Sequence, residues 1–131
     1  TRLGIDVSHL HEEVMPIEDF IPAAAQGALA IQCRQNDELV ISVLDKINED
    51  STNAIVSAER NFLAQLGGGC QKPSAVHITN ESNAFQLYVS HADVAEESGV
   101  VFQAEYKQLT DIDFGKVISE LKKKTFSTPA N

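Results

Sequence analysis

Apolar residues at helical spacing predict two helices in the middle of the chain. The first follows Asp37, a common N-cap residue. The second begins at its expected caps, Ser51 and Thr52, and ends at Gly67, because glycine adopts the left-handed conformation of a helix end at little cost. The apolar stripe of this second helix consists of Ile55, Ala58, Phe62 and Leu66. Glu59 is expected to face away from that stripe, on the polar side.

The second half of the chain alternates between apolar and polar residues in three runs, 74–80, 85–91 and 100–106. Asn80-Glu81-Ser82-Asn83 has the composition of a hairpin turn between the first two runs. A final amphipathic helix is expected over about 112–124. The pattern therefore predicts an α+β fold, in which a three-stranded antiparallel sheet carries helices packed on one face.

The first 35 residues fit this unit less well. Residues 1–20 show only a weak helical pattern, which Pro16 interrupts. The nearly continuous apolar character of 28–34 predicts a strand covered on both faces, and nothing else in the chain is expected to cover both. This strand is therefore expected to belong to a sheet whose other strands lie outside the chain.

Composition and net charge indicate which classes of partner the chain can bind. The chain has 131 residues, of which 43% are hydrophobic, and its net charge is −9. This composition favours a folded domain and argues against binding to nucleic acid or to an anionic membrane surface. No segment has the pattern of a membrane span or a signal peptide, so we expect a soluble, cytoplasmic protein. With two cysteines, Cys33 and Cys70, free thiols are the expectation.

The most informative local feature is Gly67-Gly68-Gly69-Cys70, a glycine turn that presents a thiol. The partial negative charge at the carboxyl end of the preceding helix disfavours a thiolate, so a redox catalyst would be poorly placed here. A thiol that forms one lasting bond to a strong electrophile meets no such objection. The alternative is a simple helix stop followed by an incidental cysteine.

Other candidate sites are weaker. His9 and His11 diverge on a helix and match no zinc motif, so no metal site is predicted. Thiol–disulfide exchange through Cys33 and Cys70 has little support, because the chain contains no Cys-x-x-Cys motif.

Three segments in this order form a specific combined pattern. They are Pro22-Ala23-Ala24-Ala25-Gln26-Gly27-Ala28-Leu29-Ala30-Ile31-Gln32-Cys33-Arg34, then Ala58-Glu59-Arg60-Asn61-Phe62-Leu63, and then Gly68-Gly69-Cys70-Gln71-Lys72-Pro73. The pattern closely resembles the carboxy-terminal part of the porphobilinogen deaminases, also called hydroxymethylbilane synthases. Two positions depart from that family: Ala25, where glycine is usual, and Gln32, where glutamate is usual.

The resemblance implies a three-domain transferase of tetrapyrrole and heme biosynthesis that condenses four porphobilinogen units into hydroxymethylbilane. It implies a dipyrromethane cofactor in thioether linkage to Cys70, on the Gly68-Gly69 turn, with Gln26 and Gly27 lining the interdomain cleft. Residues 1–49 would comprise the tail of domain 2 and a strand and helix that return to domain 1. Residues 50–131 would form the cofactor-carrying third domain.

The family's catalytic aspartate and most of its substrate-binding arginines have no counterpart here, so no catalytic residue is assigned. We therefore expect this chain alone to be an inactive portion with an unmodified Cys70. Its partners would be domains 1 and 2 of the same polypeptide and, in the complete enzyme, porphobilinogen and the growing oligopyrrole. The alternative from another functional class is a free-standing binding or regulatory module that shares the third-domain fold.

Overall fold

The computed structural model describes residues 4, 6, 8–67, 73–93 and 98–125. The helices are α1 (Glu38–Leu44), α2 (Asp50–Leu66) and α3 (Phe114–Thr125), and the strands are β1 (Ser74–Glu81), β2 (Ala84–Asp93) and β3 (Ser98–Tyr106). A short 3-10 helix, Leu109–Asp111, leads into α3.

The three strands form one antiparallel sheet in the order β1-β2-β3, as the alternating pattern predicted. The hairpin between β1 and β2 turns at Ser82 and Asn83, whose φ angles are 51° and 65°. Two successive residues with positive φ are typical of the turns that match the twist of a hairpin. This register places Val76 opposite Val89, and Val89 opposite Phe102.

The core lies between one face of the sheet and the helices α2 and α3, which confirms the predicted α+β architecture. α2 packs against β1, and α3 packs mainly against β3. The rings of Phe62 and Phe114 meet edge to face with centroids 5.3 Å apart. The buried apolar core residues are Phe62, Leu66, Val76, Ile78, Leu87, Val89, Ile112, Val117, Ile118 and Leu121.

The ends of α2 are only partly as predicted. Gly67 caps its carboxyl end with a φ of 77°, as expected. The amino end is capped by Glu49 and not by Ser51 or Thr52, whose backbone N–H groups instead donate to the Glu49 carboxylate. The glutamate side chain is long enough to reach both N–H groups of the first turn, which leaves Ser51 and Thr52 inside the helix.

The segment before α1 contacts both faces of the sheet, at Glu18 on one face and at Ala24 on the other. The Tyr88 hydroxyl, on the sheet face opposite the helices, lies 3.5 Å from Glu18 Oε1. Burial, and then the nearby Glu18 charge, raises the pKa of Tyr88. Ala24 packs against the core on the other side. The segment that contains Glu18 and Ala24 therefore contacts both layers of the fold.

Before α1 the described residues contain neither a helix nor the strand expected over 28–34. Residues 8–20 contain turns and no helix, because exposed side chains such as Val14, 85% exposed, find no surface on which to pack. Residues 28–34 have no regular secondary structure, and Leu29 is 77% exposed. A strand needs a partner for its backbone groups, and none of the three strands pairs with this segment.

Across the ranges given above, no helix combines the length and the apolar character that crossing a bilayer requires.

Candidate functional site

A buried carboxylate, Glu59, lies where α2, β1 and the turn at 23–27 meet. Its side chain is only 2% exposed. Oε1 accepts a hydrogen bond from the Ile78 backbone N–H at 2.8 Å, and Oε2 accepts one from the Ala25 backbone N–H at 2.6 Å. Burying a carboxylate is costly unless such donors replace water. The two N–H groups therefore account for an acidic residue at this depth.

One of these bonds gives a partner to a backbone N–H group at the edge of the sheet. β1 is an edge strand, so alternate N–H groups along it point away from β2 and find no partner within the sheet. The Ile78 N–H is one of them, and Glu59 accepts it. The side chain thus fixes α2 along the β1 edge.

His77 approaches the same carboxylate from β1. Its Nδ1 atom lies 3.2 Å from Glu59 Oε1, in a geometry that does not make a hydrogen bond. The imidazole is partly exposed, with 23% of its side chain accessible. The contact becomes an ion pair when the imidazole is protonated. No motif in the sequence singles out His77, so its position beside Glu59 is a finding of the structure.

The turn that Glu59 holds contains two of the predicted site residues, Gln26 and Gly27. Gly27 has a φ of 87°, and Ala25 adopts the left-handed conformation with a φ of 62°. The Gln26 side chain closes the turn by accepting from the Ala23 N–H at 3.1 Å. The backbone adds a bond from the Gln26 N–H to the Ala23 carbonyl at 3.0 Å.

The left-handed alanine is unfavourable by itself. An L-residue with a side chain loses about 1–2 kcal/mol in this conformation. A hydrogen bond to a charged acceptor contributes about 1.5–3 kcal/mol. The energy of the Ala25–Glu59 hydrogen bond is therefore large enough to offset the strain. Glycine, which is usual at this position in the family that the sequence resembles, would avoid the strain.

The segment that carries Cys70 connects α2 to β1. Cys70, Gly68 and Gly69 lie outside the described residues, so their predicted role as the cofactor attachment stays a prediction. On the β1 side, Ser74 Oγ and His91 Nδ1 are 2.8 Å apart. The Ala92 N–H donates to the Pro73 carbonyl at 3.0 Å, which continues the β1–β2 pairing by one residue.

The remaining candidates are scattered. Cys33 is a partly exposed free thiol in the irregular segment before α1. His9 and His11 are exposed, and no group of three or more histidine, cysteine or acidic side chains in the described ranges is arranged to hold a metal. Two arginines fall within those ranges: Arg34 pairs with Asp37 at 3.0 Å, and Arg60 is exposed on α2.

Glu59 is the site residue that sequence analysis misplaced, because it was expected on the polar side of α2. The spacing contains a signal for its burial, since Glu59 follows Ile55 by four positions and precedes Phe62 by three. Those intervals put it on the apolar stripe. Its charge argued against burial, and only the N–H donors of Ala25 and Ile78 reverse that argument.

Comparison with known proteins shows which family this chain is similar to. A family model described as "Porphobilinogen deaminase, dipyromethane cofactor binding domain" matches residues 1–42. The porphobilinogen deaminase of Listeria monocytogenes serotype 4a (strain HCC23) is 35% identical over 122 residues, which cover 91% of this chain. The chain belongs to the porphobilinogen deaminase family. The resemblance seen in the sequence is thereby confirmed.

Other porphobilinogen deaminases match shorter stretches. That of Limosilactobacillus reuteri (strain DSM 20016) is 44% identical over 78 residues, which are 59% of this chain and 25% of the relative. That of Streptococcus sanguinis (strain SK36) is 37% identical over 99 residues, which are 75% of this chain and 31% of the relative. The chain spans about 38% of the length of the Listeria relative. The family model ends at residue 42 and therefore does not include Cys70.

Proposed function

We propose that this chain supplies the cofactor-anchoring part of a hydroxymethylbilane synthase, which condenses four porphobilinogen units in tetrapyrrole biosynthesis. In this proposal Cys70 is the thioether anchor of a dipyrromethane, Gly68 and Gly69 present it, and Gln26 and Gly27 line the cleft. The observation that carries the proposal is Glu59. In a member of this family, one buried carboxylate joins the Gln26–Gly27 turn to the helix and strand that flank the Cys70 segment.

This chain meets one of two requirements for holding the cofactor: it can supply the covalent attachment but not the partners of the cofactor's carboxylates. A cysteine thiol can form the thioether, and Cys70 would hold the group. The carboxylates of a pyrrole chain need cationic partners, and the two arginines of the described ranges form no buried clamp for them, since the Arg34 side chain is 90% exposed and Arg60 lies exposed on α2. When bound, the dipyrromethane supplies the terminal pyrrole ring to which substrate units are joined. The chain's own part is to hold and orient this primer.

The lack of a buried arginine in the described ranges is consistent with a division of roles between parts of the complete polypeptide. α1 has no buried residue, and Leu39 on it is 79% exposed. Leu29 and Ile31 nearby are also exposed. We propose that residues 1–49 comprise the tail of domain 2 and a strand and helix of domain 1, that the remaining parts of those domains would bring the substrate-binding cations, and that 50–131 form the anchoring domain. Cytoplasmic localisation stays a prediction.

Replacing the anchor cysteine in the complete polypeptide tests the proposal. Cys70→Ser should abolish formation of hydroxymethylbilane, and intact mass measurement should show no added dipyrromethane. Cys33→Ser is the matched control, because it removes the chain's other thiol, and it should leave both readouts unchanged. Product formation and a loaded primer in Cys70→Ser would show that the anchor is elsewhere.

The 131-residue chain by itself provides a second test. Incubated with porphobilinogen, it should form no hydroxymethylbilane, and its mass should equal that of the unmodified polypeptide. Turnover by this chain would contradict the proposed dependence on other domains.

Limited trypsin digestion of the same chain tests the boundary near residue 49. Arg34 and Lys46 lie outside the core and should be cut well before Lys116 in α3. Equal rates of cleavage at all three would argue against separate units.

A further inference from the structure

The two oxygens of Glu59 serve parts of the molecule that are far apart in the sequence. Oε1 satisfies Ile78 on the β1 edge, which requires only one acceptor. Oε2 reaches the N–H of Ala25, 34 positions away along the chain. Helix-to-sheet packing alone does not require this second bond.

The turn at 23–27 has internal hydrogen bonds that give it its shape. They run from Gln26 to the Ala23 carbonyl, from Ala28 to the Ala25 carbonyl, and from Ala23 to the Gln26 side chain. All three are local, so none of them fixes where the turn lies relative to the sheet. Ala24 contacts the core, but an apolar contact is not directional. The short hydrogen bond from the Ala25 N–H to the buried Glu59 carboxylate is directional, and it therefore fixes how the turn lies relative to the sheet.

We propose that Glu59 is a positioning residue for the reaction: it fixes the turn that carries Gln26 and Gly27 at a defined place relative to α2 and β1, the elements that flank the Cys70 segment. The inference rests on the proposed function, in which that turn lines the cleft. α2 ends just before the Cys70 segment and β1 begins just after it, and Glu59 contacts both β1 and the turn. Losing the bond to Ala25 alone should therefore free the turn while leaving the helix and strand that flank Cys70 in place.

Hydrogen exchange of the 131-residue chain, measured by NMR, tests the contact directly. Glu59→Gln keeps the shape of the side chain but replaces one accepting oxygen by an NH2 group, which can only donate, so the remaining carbonyl oxygen cannot serve both N–H groups. The Ala25 amide should then exchange at least about tenfold faster relative to the amides of β2. Glu12→Gln, which makes the same charge change at an exposed position, should alter neither set.

The amides of β2 report overall stability, so they separate local release of the turn from general destabilisation. If Ala25 and β2 accelerate by the same factor in Glu59→Gln, the positioning role is refuted. Glu59→Asp, which retains the charge but shortens the reach by one methylene, should fall between wild type and Glu59→Gln. It also serves if the glutamine variant does not fold.

The complete polypeptide tests the consequence for catalysis. With activity normalised to the fraction whose mass includes the cofactor, Glu59→Gln should lower kcat/KM by about ten- to a hundredfold, with partial rescue in Glu59→Asp. Wild-type kcat/KM in loaded Glu59→Gln would overturn the inference and leave the anchor proposal standing. An active Cys70→Ser enzyme would overturn the anchor proposal, while the exchange result at Ala25 would still stand.

Discussion

Replacing Ala25 by glycine should stabilise the protein, although most alanine-to-glycine changes destabilise. Ala25 has a φ of 62°, a conformation in which a side chain costs about 1–2 kcal/mol. Glycine avoids that cost but adds freedom to the unfolded chain, which removes about 0.5–1 kcal/mol. The N–H that donates to Glu59 is unchanged by the substitution. The net expectation is a gain of about 0 to 1.5 kcal/mol in the free energy of unfolding, with a central value of about 0.75 kcal/mol.

Ala23→Gly is the matched control for this prediction. Ala23 lies in the same turn and is exposed, but it is not among the residues with positive φ. Its replacement should therefore lose about 0.5–1 kcal/mol, the entropic term alone. Because both variants share that term, the difference between them isolates the left-handed strain, about 1–2 kcal/mol.

Urea denaturation of the 131-residue chain, followed by circular dichroism, measures both variants. The midpoint should rise for Ala25→Gly and fall for Ala23→Gly, with unchanged slopes. If both midpoints move by the same amount in the same direction, then either Ala25 is not left-handed in solution or the turn is not part of the cooperative unit. Either result would refute the reasoning.

Three further predictions concern the fold around the site. In urea denaturation, Phe62→Ala should lower the free energy of unfolding by about 3–5 kcal/mol, because Phe62 is fully buried. Leu39→Ala, at an exposed position, should change it by less than about 0.5 kcal/mol. Similar losses in the two variants would contradict the assigned core. Hydrogen bonds from Thr52, and then from Ser51, lower the pKa of Glu49 to about 2. Its contribution to stability is therefore complete above its ordinary value of 4.5 and is lost as the pH falls towards 2, so Glu49→Gln should destabilise at pH 6 more than at pH 3 in thermal melts. Asn83→Gly, at a φ of 65°, should raise the melting temperature slightly, and a lower one would count against the assigned hairpin turn.

The amphipathic pattern by itself determined the α+β unit from α2 to α3. Alternation with a period of two specified three strands with one apolar face, and the stripe of Phe62 and Leu66 specified a helix to cover it. These elements were predictable because each one packs against elements that are close to it in the sequence. The pattern also placed α1 after Asp37, whose side chain caps it. The family resemblance likewise depends on residue identities alone, those of the glycine turn and of the Gln26-Gly27 segment.

Only the tertiary structure decided what lies next to the turn at 23–27. The burial of Glu59 depends on two donors, Ala25 and Ile78, which are 34 and 19 positions away in the sequence. No local pattern predicts that both N–H groups converge on one carboxylate. The apolar run 28–34 is the opposite case: its composition favours a strand, but none of the described strands β1, β2 and β3 pairs with it. In both cases the outcome depends on whether a distant partner satisfies backbone hydrogen bonds, which residue spacing does not encode.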